Sequence, residues 1–239
     1  MKYDIHCHLT STEYSNPDKI INECETQKIS VILNGLDYLD NEKVLSLSKS
    51  FKNVYVAMGM HPTNVFDIKV ISQIIENKGN IVAIGEIGLD FKQGVDEKQV
   101  INLRKLIRLA EKLNKPVIVH SRMAEERLLK ELKNIKIPVI LHCFTGKKAL
   151  LKEALKNPNT YFSIPASVHY SEQFQELVKA LPISKLLCET DSPYLWKEGL
   201  NTPLNIAKAY EAIAKIKGIS LIDCERLIQK NFEAIFKNH

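Results

Sequence analysis

Short apolar runs alternate with longer amphipathic runs along the whole of this 239-residue chain. Eight such pairs can be counted, and the alternation is typical of repeated βα units that surround a parallel sheet. The predicted strands cover residues 3–8, 30–34, 54–58, 81–85, 117–120, 139–142, 161–164 and 185–189. They predict the α/β class and a (β/α)8 TIM barrel. We find no linker or shift in composition, so we expect residues 1–239 to form a single domain.

The fourth amphipathic run shows the helical period most clearly. Apolar residues recur at spacings of three and four on one face, and charged residues occupy the rest. This face comprises Val100, Leu103, Leu106, Ile107, Ala110 and Leu113. Pro116 follows and stops the helix, because proline has no amide hydrogen to donate. We therefore expect an outer barrel helix at this position.

Two helical segments follow the eighth predicted strand. Thr202 is a candidate N-cap for the first segment, with Pro203 at its first helical position. The segments separate near Gly218, and the second covers about residues 221–236. Because eight βα units already complete a barrel, we expect this last helix to be an extra C-terminal element that closes it.

Charge and cysteine content limit the class of protein only loosely. The formal net charge of +5 would suit an anionic substrate such as nucleic acid, although lysine-rich helix faces are commonly plain solvated surface. Five scattered cysteines without a C-x-x-C pair argue against a disulfide framework and a thiolate zinc site. No run is apolar enough to span a membrane, and the first residues contain no apolar signal segment. We expect a cytoplasmic protein without a membrane contact or an obligate protein partner.

Residues with metal-binding side chains occur where the predicted strands end. Active sites of (β/α)8 barrels form at the C-terminal ends of the strands, so side chains there converge on one site. Five of the seven histidines are among them, which is a strong bias toward that end of the barrel. The residues at these ends are His6, His8, His61, Glu86, His120, His142, Glu189 and Asp191.

His6 and His8 form a His-x-His pair at the end of the first predicted strand. Residues two apart project to the same face of a strand, so Cys7 projects to the other face. On the inner face of the barrel, the two imidazoles could bind one metal ion. Asp4 would share that face one layer below and could accept a hydrogen bond from an imidazole. Taken alone, the pair could equally be two hydrogen-bonded core histidines.

The other candidates also have structural alternatives. Glu86 follows an apolar strand, where a carboxylate requires an ion-pair partner or a cation. His120 and His142 could each be a hydrogen-bonded core histidine. Convergence at one end of the barrel favours metal binding, because unrelated core histidines have no reason to share that end. Six candidate ligands exceed one tetrahedral site, and a carboxylate such as Glu86 could bridge two divalent ions about 3.5–4 Å apart.

Six motifs, in this order, resemble the TatD family of metal-dependent deoxyribonucleases and hydrolases, within the amidohydrolase-like barrels. They are Asp4-Ile-His6-Cys-His8-Leu, Gly59-Met-His61-Pro62, Gly85-Glu86-Ile-Gly88-Leu-Asp90, Pro116-Val-Ile-Val-His120-Ser-Arg122, His142-Cys-Phe-Thr-Gly146 and Glu189-Thr-Asp191-Ser-Pro193-Tyr-Leu. They cover nearly the whole chain. The resemblance implies a (β/α)8 fold with two divalent ions, Mg, Mn or Zn. It also implies hydrolysis of DNA or RNA phosphodiesters, often from a 3′ end.

The resemblance also assigns the metal ligands in two sets. These are His6, His8, Glu86 and Asp191 around one ion, and Glu86, His120 and His142 around the other. The chain departs from the family pattern near Lys197, where the family often has an arginine, and at residues 164–167, where a glycine is common. Both departures lie at the substrate-facing rim and bear on substrate preference.

The mechanism expected for such a site is attack on phosphorus by a hydroxide that two metal ions generate. Asp191 would hold a metal ion and accept the proton of the attacking water, and Glu86 would bridge the ions. His61 and Arg122 would contact the phosphate, Arg122 with a fork that matches two oxygens. Glu189 is either a proton acceptor or a residue that supports a ligand.

Aromatic residues and one lysine lie near the predicted rim. They are Phe91, Phe144, Tyr170, Tyr194, Trp196 and Lys197. Aromatic rings can stack on unpaired bases without reading their sequence, although aromatic side chains in barrel loops commonly serve packing alone. The candidate substrate contacts among them are Phe144, Tyr194, Trp196 and Lys197.

Two other functions remain open from the sequence. The same site could hydrolyse another ester or amide, such as the ester of a D-aminoacyl-tRNA or a cyclic amide. Many amidohydrolase barrels bridge their metal ions with a carboxylated lysine, and a glutamate at that position favours the phosphodiesterase. The second alternative is a barrel that binds nucleic acid without catalysis. Suitable side chains at all six ligand positions argue against it.

Overall fold

Eight parallel strands, hydrogen-bonded in chain order, form the barrel wall in the computed structural model, which describes residues 1–237. The predicted α/β class and the (β/α)8 TIM barrel are confirmed. Asn238 and His239, the last two residues of the predicted domain, lie outside the described residues. The strands are β1 (Lys2–Cys7), β2 (Ile29–Asn34), β3 (Val54–Met58), β4 (Ala83–Asp90), β5 (Val117–Arg122), β6 (Val139–His142), β7 (Thr160–Pro165) and β8 (Leu186–Glu189).

The α-helices of residues 1–237 are α1 (Pro17–Thr26), α2 (Tyr38–Ser50), α3 (Lys69–Glu76), α4 (Glu97–Leu113), α5 (Glu125–Leu132), α6 (Lys148–Ala154), α7 (Glu172–Ala180), α8 (Ile206–Lys217) and α9 (Leu221–Phe236). Helices α1 to α8 each follow the strand of the same number, and α9 is the additional element. Within this part of the chain, no helix combines the length and the apolar character that crossing a membrane requires.

Helix α4 forms where the sequence predicts an amphipathic outer helix. At its start, the Asp96 side chain accepts a hydrogen bond from the Lys98 amide (2.9 Å), and so pairs one of the amides that a helix N-terminus leaves free. Asn114 ends the helix in the left-handed region, at φ 52°, which asparagine tolerates better than most residues. The predicted apolar face is buried except for Leu113, which is half-buried.

Several strand bounds differ from the predicted ones by one or two residues, and two differences are more substantial. The sequence predicts an end of β4 at Gly85, but the strand continues because its ladder with β5 extends to the pairing of Asp90 with Arg122. The prediction that Thr202 caps the next α-helix is also wrong. Its side chain makes no capping hydrogen bond, because residues Pro203–Asn205 first form a short 3-10 helix and α8 begins only after them.

Helix α9 closes the N-terminal end of the barrel, as the sequence predicts. The Phe232 ring stacks on Tyr3 with the ring centroids 3.8 Å apart, and Phe236 packs beside Phe232. These rings complete an apolar floor with residues of the strands, namely Ile5, Ile32, Ala57, Ala83, Ile118, Ile140 and Leu187. The candidate metal ligands lie at the opposite, C-terminal end of the strands.

Strands β1 and β4 each carry one extra residue relative to a neighbour. Between Asp4 and Cys7, β1 spans three residues where β2 spans two, and β4 does the same against β5 around Glu86. Such β-bulges interrupt the alternation of side chains and re-aim them. In β1, Ile5 joins the apolar floor, and the next residue, His6, also faces the barrel interior, where it approaches Glu86.

The barrel closes between β1 and the residues just past β8. The Asp191 amide donates to the His6 carbonyl (2.9 Å), and the His8 amide donates to the Ser192 carbonyl (2.8 Å). The seam therefore ties one candidate ligand on β1, His6, and one just past its end, His8, to a third in the loop after β8.

Candidate metal centre

Four of the predicted ligands bring one atom each to a common point at the C-terminal end of the barrel. The atoms are His6 Nε2, His8 Nε2, Glu86 Oε2 and Asp191 Oδ1. His6 Nε2 lies 3.0 Å from His8 Nε2, 3.4 Å from the Glu86 oxygen and 3.6 Å from the Asp191 oxygen. His8 Nε2 lies 3.6 Å from each of these oxygens. We call these four residues the first ligand group.

Glu86, His120 and His142 form the second ligand group. Glu86 Oε1 lies 2.9 Å from His120 Nδ1 and 3.2 Å from His142 Nε2, and the two ring nitrogens are 3.4 Å apart. The His142 ring also stacks on His6 with centroids 4.0 Å apart, so the two groups adjoin. Each oxygen of the Glu86 carboxylate therefore faces a different group, as in a bridging carboxylate.

The surrounding histidines govern the charge of Glu86, which is 3% exposed. Burial alone would raise its pKa, but the imidazoles of His6 and His142 hold the pKa of the carboxyl well below its ordinary value. Burial lowers the pKa of His6 to about 4. Burial also disfavours a charged His142, but Glu189 and Glu86 on its two sides raise the pKa of that imidazole well above its usual range. Buried carboxylates among imidazoles are a set of groups that a bound cation stabilises.

Two ligand rings are held from behind by hydrogen bonds, a common feature of metal sites. His8 Nδ1 lies 3.0 Å from the carbonyl oxygen of Asn34. A carbonyl only accepts, so Nδ1 carries the proton and Nε2 is free to face the centre. His120 Nε2 lies 3.2 Å from Asp90 Oδ2, which leaves Nδ1 for the centre. Sequence reasoning missed both supports, although the place of Asp90 beyond Glu86 on one strand was a signal.

Glu189 lies behind His142, on the side of the ring away from Glu86. Its Oε2 lies 3.5 Å from His142 Nδ1, and its Oε1 accepts a hydrogen bond from the Cys143 amide (2.7 Å). The Ser163 hydroxyl donates to Oε2 (2.5 Å). The side chain is fully buried. Of the two roles that the sequence leaves open, this geometry favours support of a ligand.

Asp4 does not contact an imidazole, contrary to the prediction. Its Oδ1 accepts hydrogen bonds from the amides of Thr190 (2.9 Å) and His6 (3.2 Å), and its Oδ2 accepts one from the Thr190 hydroxyl (2.5 Å). The bulge in β1 is the cause, because it breaks the alternation that would align Asp4 with His8. Burial raises the pKa of Asp4 to about 8. These contacts fix Thr190. The next residue, Asp191, has its backbone in the left-handed region, at φ 53°.

The spacing of the first ligand group fits a tetrahedral metal site. Zn²⁺ binds imidazole nitrogens and carboxylate oxygens at about 2.0–2.2 Å, which sets tetrahedral edges of about 3.3–3.6 Å. Five edges of the group measure between 3.0 and 3.6 Å. Imidazole suits Zn²⁺ and other transition metals, and carboxylates also accept Mg²⁺ or Mn²⁺. The residues therefore fit a divalent ion.

All members of the two groups except His6 line a cavity of about 610 Å³, within the range of about 300–1,000 Å³ that is typical of ligand pockets. His61 lines it, with Nδ1 2.7 Å from Thr63 Oγ1 and Nε2 3.8 Å from Glu86 Oε1. Arg122 and Tyr194 line it as well. The Arg122 guanidinium forms no ion pair with any residue in 1–237, so its charge is available to an anion.

Three predicted substrate contacts do not line this cavity. Phe144 is buried and packs edge-on against Phe162, with centroids 5.7 Å apart. It has no free face for a base, which corrects the prediction; the chain folds the residue back into the layer between strands and helices. Trp196 and Lys197 line an adjoining groove instead.

Two glycines of the motifs permit close approach of the backbone at the centre. A Cβ atom on Gly59 would lie 2.5 Å from the Glu86 carbonyl oxygen, and one on Gly88 would lie 2.1 Å from the His120 carbonyl oxygen. Gly88 also has a φ of 154°, which residues with side chains rarely adopt. Both glycines therefore help to place a strand that carries a ligand.

Comparisons with known proteins find similar chains of matching length. A family model described as TatD related DNase matches residues 3–237. An uncharacterised metal-dependent hydrolase of Methanocaldococcus jannaschii is 35% identical over 99% of this chain and 98% of its own length. Human deoxyribonuclease TATDN3 is 34% identical over 98% of this chain and 93% of its own. The crystal structure of YJJV, a TatD homologue from Escherichia coli, has a TM-score of 0.89 at 22% identity, covers 99% of this chain and 98% of its own, and shares the fold.

Proposed function

The chain belongs to the TatD-related DNase family of metal-dependent hydrolases, and on this premise we propose that it hydrolyses phosphodiester bonds of DNA from the 3′ end, with two divalent metal ions. RNA ends present the same scissile group and are a second substrate for the same site. The direction of degradation, from the 3′ end, is inferred from the family resemblance. Substrates labelled at one end test it.

The observation that carries this proposal is the position of Glu86, whose two carboxylate oxygens face separate ligand groups. The other members of the first and second ligand groups complete two adjoining sites. Enzymes that hydrolyse phosphodiesters often use two ions about 3.5–4 Å apart, because charge develops on both the attacking and the leaving oxygen. A shared carboxylate supports that spacing.

When bound, two divalent ions lower the pKa of a water molecule and stabilise negative charge on phosphoryl oxygens. Asp191 lines the cavity and accepts the proton of the attacking water. Burial opposes its ionised form, but the facing imidazoles of His8 and His142 lower the pKa of the carboxyl, so the group is ionised and ready to accept. The water oxygen bonds to phosphorus as the bond between phosphorus and the leaving sugar oxygen breaks.

Arg122 and His61 orient the phosphate. The guanidinium offers parallel N–H groups whose spacing matches two phosphate oxygens. His61 is held by Thr63 at Nδ1, so that Nε2 faces the cavity near Glu86. In this position it can donate a hydrogen bond to a phosphate oxygen.

The lining of the cavity favours phosphoester over amide hydrolysis. In the described residues, no lysine lines the catalytic cavity, and Glu86 holds the bridging position. The carboxylated lysine of many amidohydrolase barrels thus has no counterpart at this centre. The ester of a D-aminoacyl-tRNA is the competing substrate in the assay below.

Digestion of oligonucleotides labelled at either end, with Mg²⁺, Mn²⁺ or Zn²⁺, tests the proposal. We expect metal-dependent shortening from the 3′ end, and loss of this activity in His142→Ala, which removes a nitrogen from the second ligand group. Asp191→Asn, assayed with full metal occupancy, should be slower by about 10²–10⁴-fold, the usual contribution of a proton-transfer group. Activity of Asp191→Asn near the wild-type level would rule out that role, and release of D-amino acid from charged tRNA without DNA cleavage would overturn the proposed function.

A further inference from the structure

A second groove lies beside the catalytic cavity, and Leu195 lines both. Its volume is about 390 Å³, which is large enough for a small ligand group. One wall comes from the segment after β7, which contains Ser167 and Tyr170. The other comes from the loop after β8, which contains Trp196 and Lys197. A chain-like substrate that leaves the catalytic cavity past Leu195 therefore enters this groove.

Contacts between the two walls hold the groove in shape. The Tyr170 hydroxyl donates a hydrogen bond to the Leu195 carbonyl (2.9 Å). The Tyr170 and Trp196 rings are tilted by 55°, with centroids 5.8 Å apart, and Lys197 Nζ lies 4.4 Å from the centroid of the Tyr170 ring. Two aromatic rings and one ammonium group are thus fixed within a few ångströms of each other.

The groove offers partners for the base and for the phosphate of a nucleotide. Aromatic rings stack on nucleobases of any sequence, and lysines neutralise phosphates. Lys197 forms no ion pair within residues 1–237, so its charge is not already compensated. Ser167 lines the groove, and its buried hydroxyl has no hydrogen-bond partner in this part of the chain, although buried polar groups usually have one.

We propose that this groove binds the nucleotide next to the scissile phosphate, with its base on the Trp196 ring and its phosphate at Lys197. The inference rests on the proposed nuclease function and deepens it by assigning the residues that hold the strand beyond the scissile phosphate. A paired base cannot stack on protein rings, so the groove selects unpaired nucleotides. Continuity with the catalytic cavity through Leu195 makes a strand of two or more nucleotides the occupant.

Trp196 is the only tryptophan of the chain, so tryptophan emission reports on this groove alone. The metal-loaded protein is titrated with phosphorothioate-linked oligothymidylates of two to four nucleotides, which resist cleavage, and with thymidine monophosphate. We expect quenching of the emission by the oligonucleotides and little change with the mononucleotide, which fills only the catalytic cavity. Equal quenching by both, or none by oligonucleotides that bind in a polarisation assay, would overturn the inference.

Lys197→Gln tests the phosphate contact. We expect the affinity for a labelled tetranucleotide to fall, and the slope of log Kd against log salt concentration to decrease by about 0.7, the contribution of one phosphate on a single strand. Lys152→Gln is the matched control, since Lys152 is an exposed lysine of the outer helix α6. A slope in Lys197→Gln equal to that of the control would contradict the contact.

The two proposals fail in distinguishable ways. Cleavage of DNA without quenching of Trp196 by oligonucleotides would overturn the proposal for the groove and leave the proposed nuclease function in place. Quenching that depends on length, without cleavage of DNA or RNA by metal-loaded protein, would support the groove as a nucleic-acid site and overturn the nuclease function. Neither cleavage nor quenching would overturn both.

Discussion

Glu189 Oε2 lies 3.5 Å from Nδ1 of His142, behind the ring nitrogen that faces the metal centre. The other nitrogen, Nε2, lies 3.2 Å from Glu86. The Ser163 hydroxyl and the Cys143 amide hold the Glu189 carboxylate in place. A buried carboxylate in this position orients the imidazole and raises its basicity as a ligand. We therefore expect Glu189 to act as a positioning residue, with an effect on the reaction that is exerted through His142.

Glu189→Gln should weaken metal binding by about 10–100-fold, the usual effect of losing a carboxylate behind a ligating histidine. Metal affinity is measured by competition with a chelator, and DNA cleavage is followed as metal is added. We expect excess metal to restore most of the rate, because the substitution removes no group that contacts the substrate. A rate that stays low at full metal occupancy would show that Glu189 accepts a proton in the reaction.

Asp4→Ala should destabilise the seam of the barrel. It removes the acceptor of the Thr190 and His6 amides, and each buried amide left without a partner costs about 1–3 kcal/mol. We expect a loss of about 2–5 kcal/mol in the free energy of unfolding, measured with urea on metal-free protein. Asp4→Asn is the control, because its amide oxygen can replace Oδ1. An equal loss in both variants would contradict this account.

The convergence of the candidate metal ligands was predictable because it depends on one rule, that strand ends meet at one face of the barrel. His6, His120 and Glu86 meet for that reason. The position of Asp4 was not predictable, since a bulge of one residue in β1 moves it off the face of the two histidines. A prediction from strict alternation along a strand cannot foresee an inserted residue.

The substrate rim was the least predictable part of the site. Phe144 and Trp196 both follow strand ends, but Phe144 packs into the layer below the helices and Trp196 remains at a groove. Which way a loop turns its aromatic residue depends on contacts made far away in the chain, such as the packing of Phe144 on Phe162. Single-sequence reasoning has no access to those contacts.

Phe232→Ala should lower the free energy of unfolding, because it weakens the apolar floor of the barrel. It should leave the catalytic rate nearly unchanged. Phe232 is 1% exposed and stacks on Tyr3 at the end opposite the metal centre. Truncation of a buried phenylalanine costs about 3–5 kcal/mol, which urea unfolding would measure. We expect kcat of the folded, metal-loaded variant to remain within about twofold of the wild type. Ile222→Ala is the control on the same helix, because Ile222 is 80% exposed and should change the stability by less than about 0.5 kcal/mol.

Glu131 should make the stability depend on pH below about 5. Hydrogen bonds from Arg104 and then Arg127 lower the pKa of its carboxyl against burial. The lower pKa in the folded state means that the stabilisation is present above the unfolded value of about 4.3 and is lost as the pH falls through the folded value. Glu131→Gln should cost about 1 kcal/mol at pH 7, and the difference from the wild type should shrink as the pH falls below the unfolded value. Glu126→Gln, which breaks an exposed pair with Lys130, should have little effect at either pH.

The count of bound ions should separate the two ligand groups. His120→Ala removes one nitrogen from the second group and leaves the four atoms of the first intact. We therefore expect two ions per chain in the wild type and one in this variant, by elemental analysis after dialysis against buffered metal. In Glu86→Ala both groups lose an oxygen, so the occupancy of both should fall.

The loss of stability on metal removal is a second measure of how the ions are distributed between the two ligand groups. A ligand that binds only the folded state at about 100 times its Kd stabilises it by about 2.7 kcal/mol. Chelation should therefore lower the melting temperature of the wild type more than that of His120→Ala, which has one ion less to lose. Retention of two ions in His120→Ala, with an unchanged response to the chelator, would mean that His120 is not a ligand and that Glu86 does not join two complete sites.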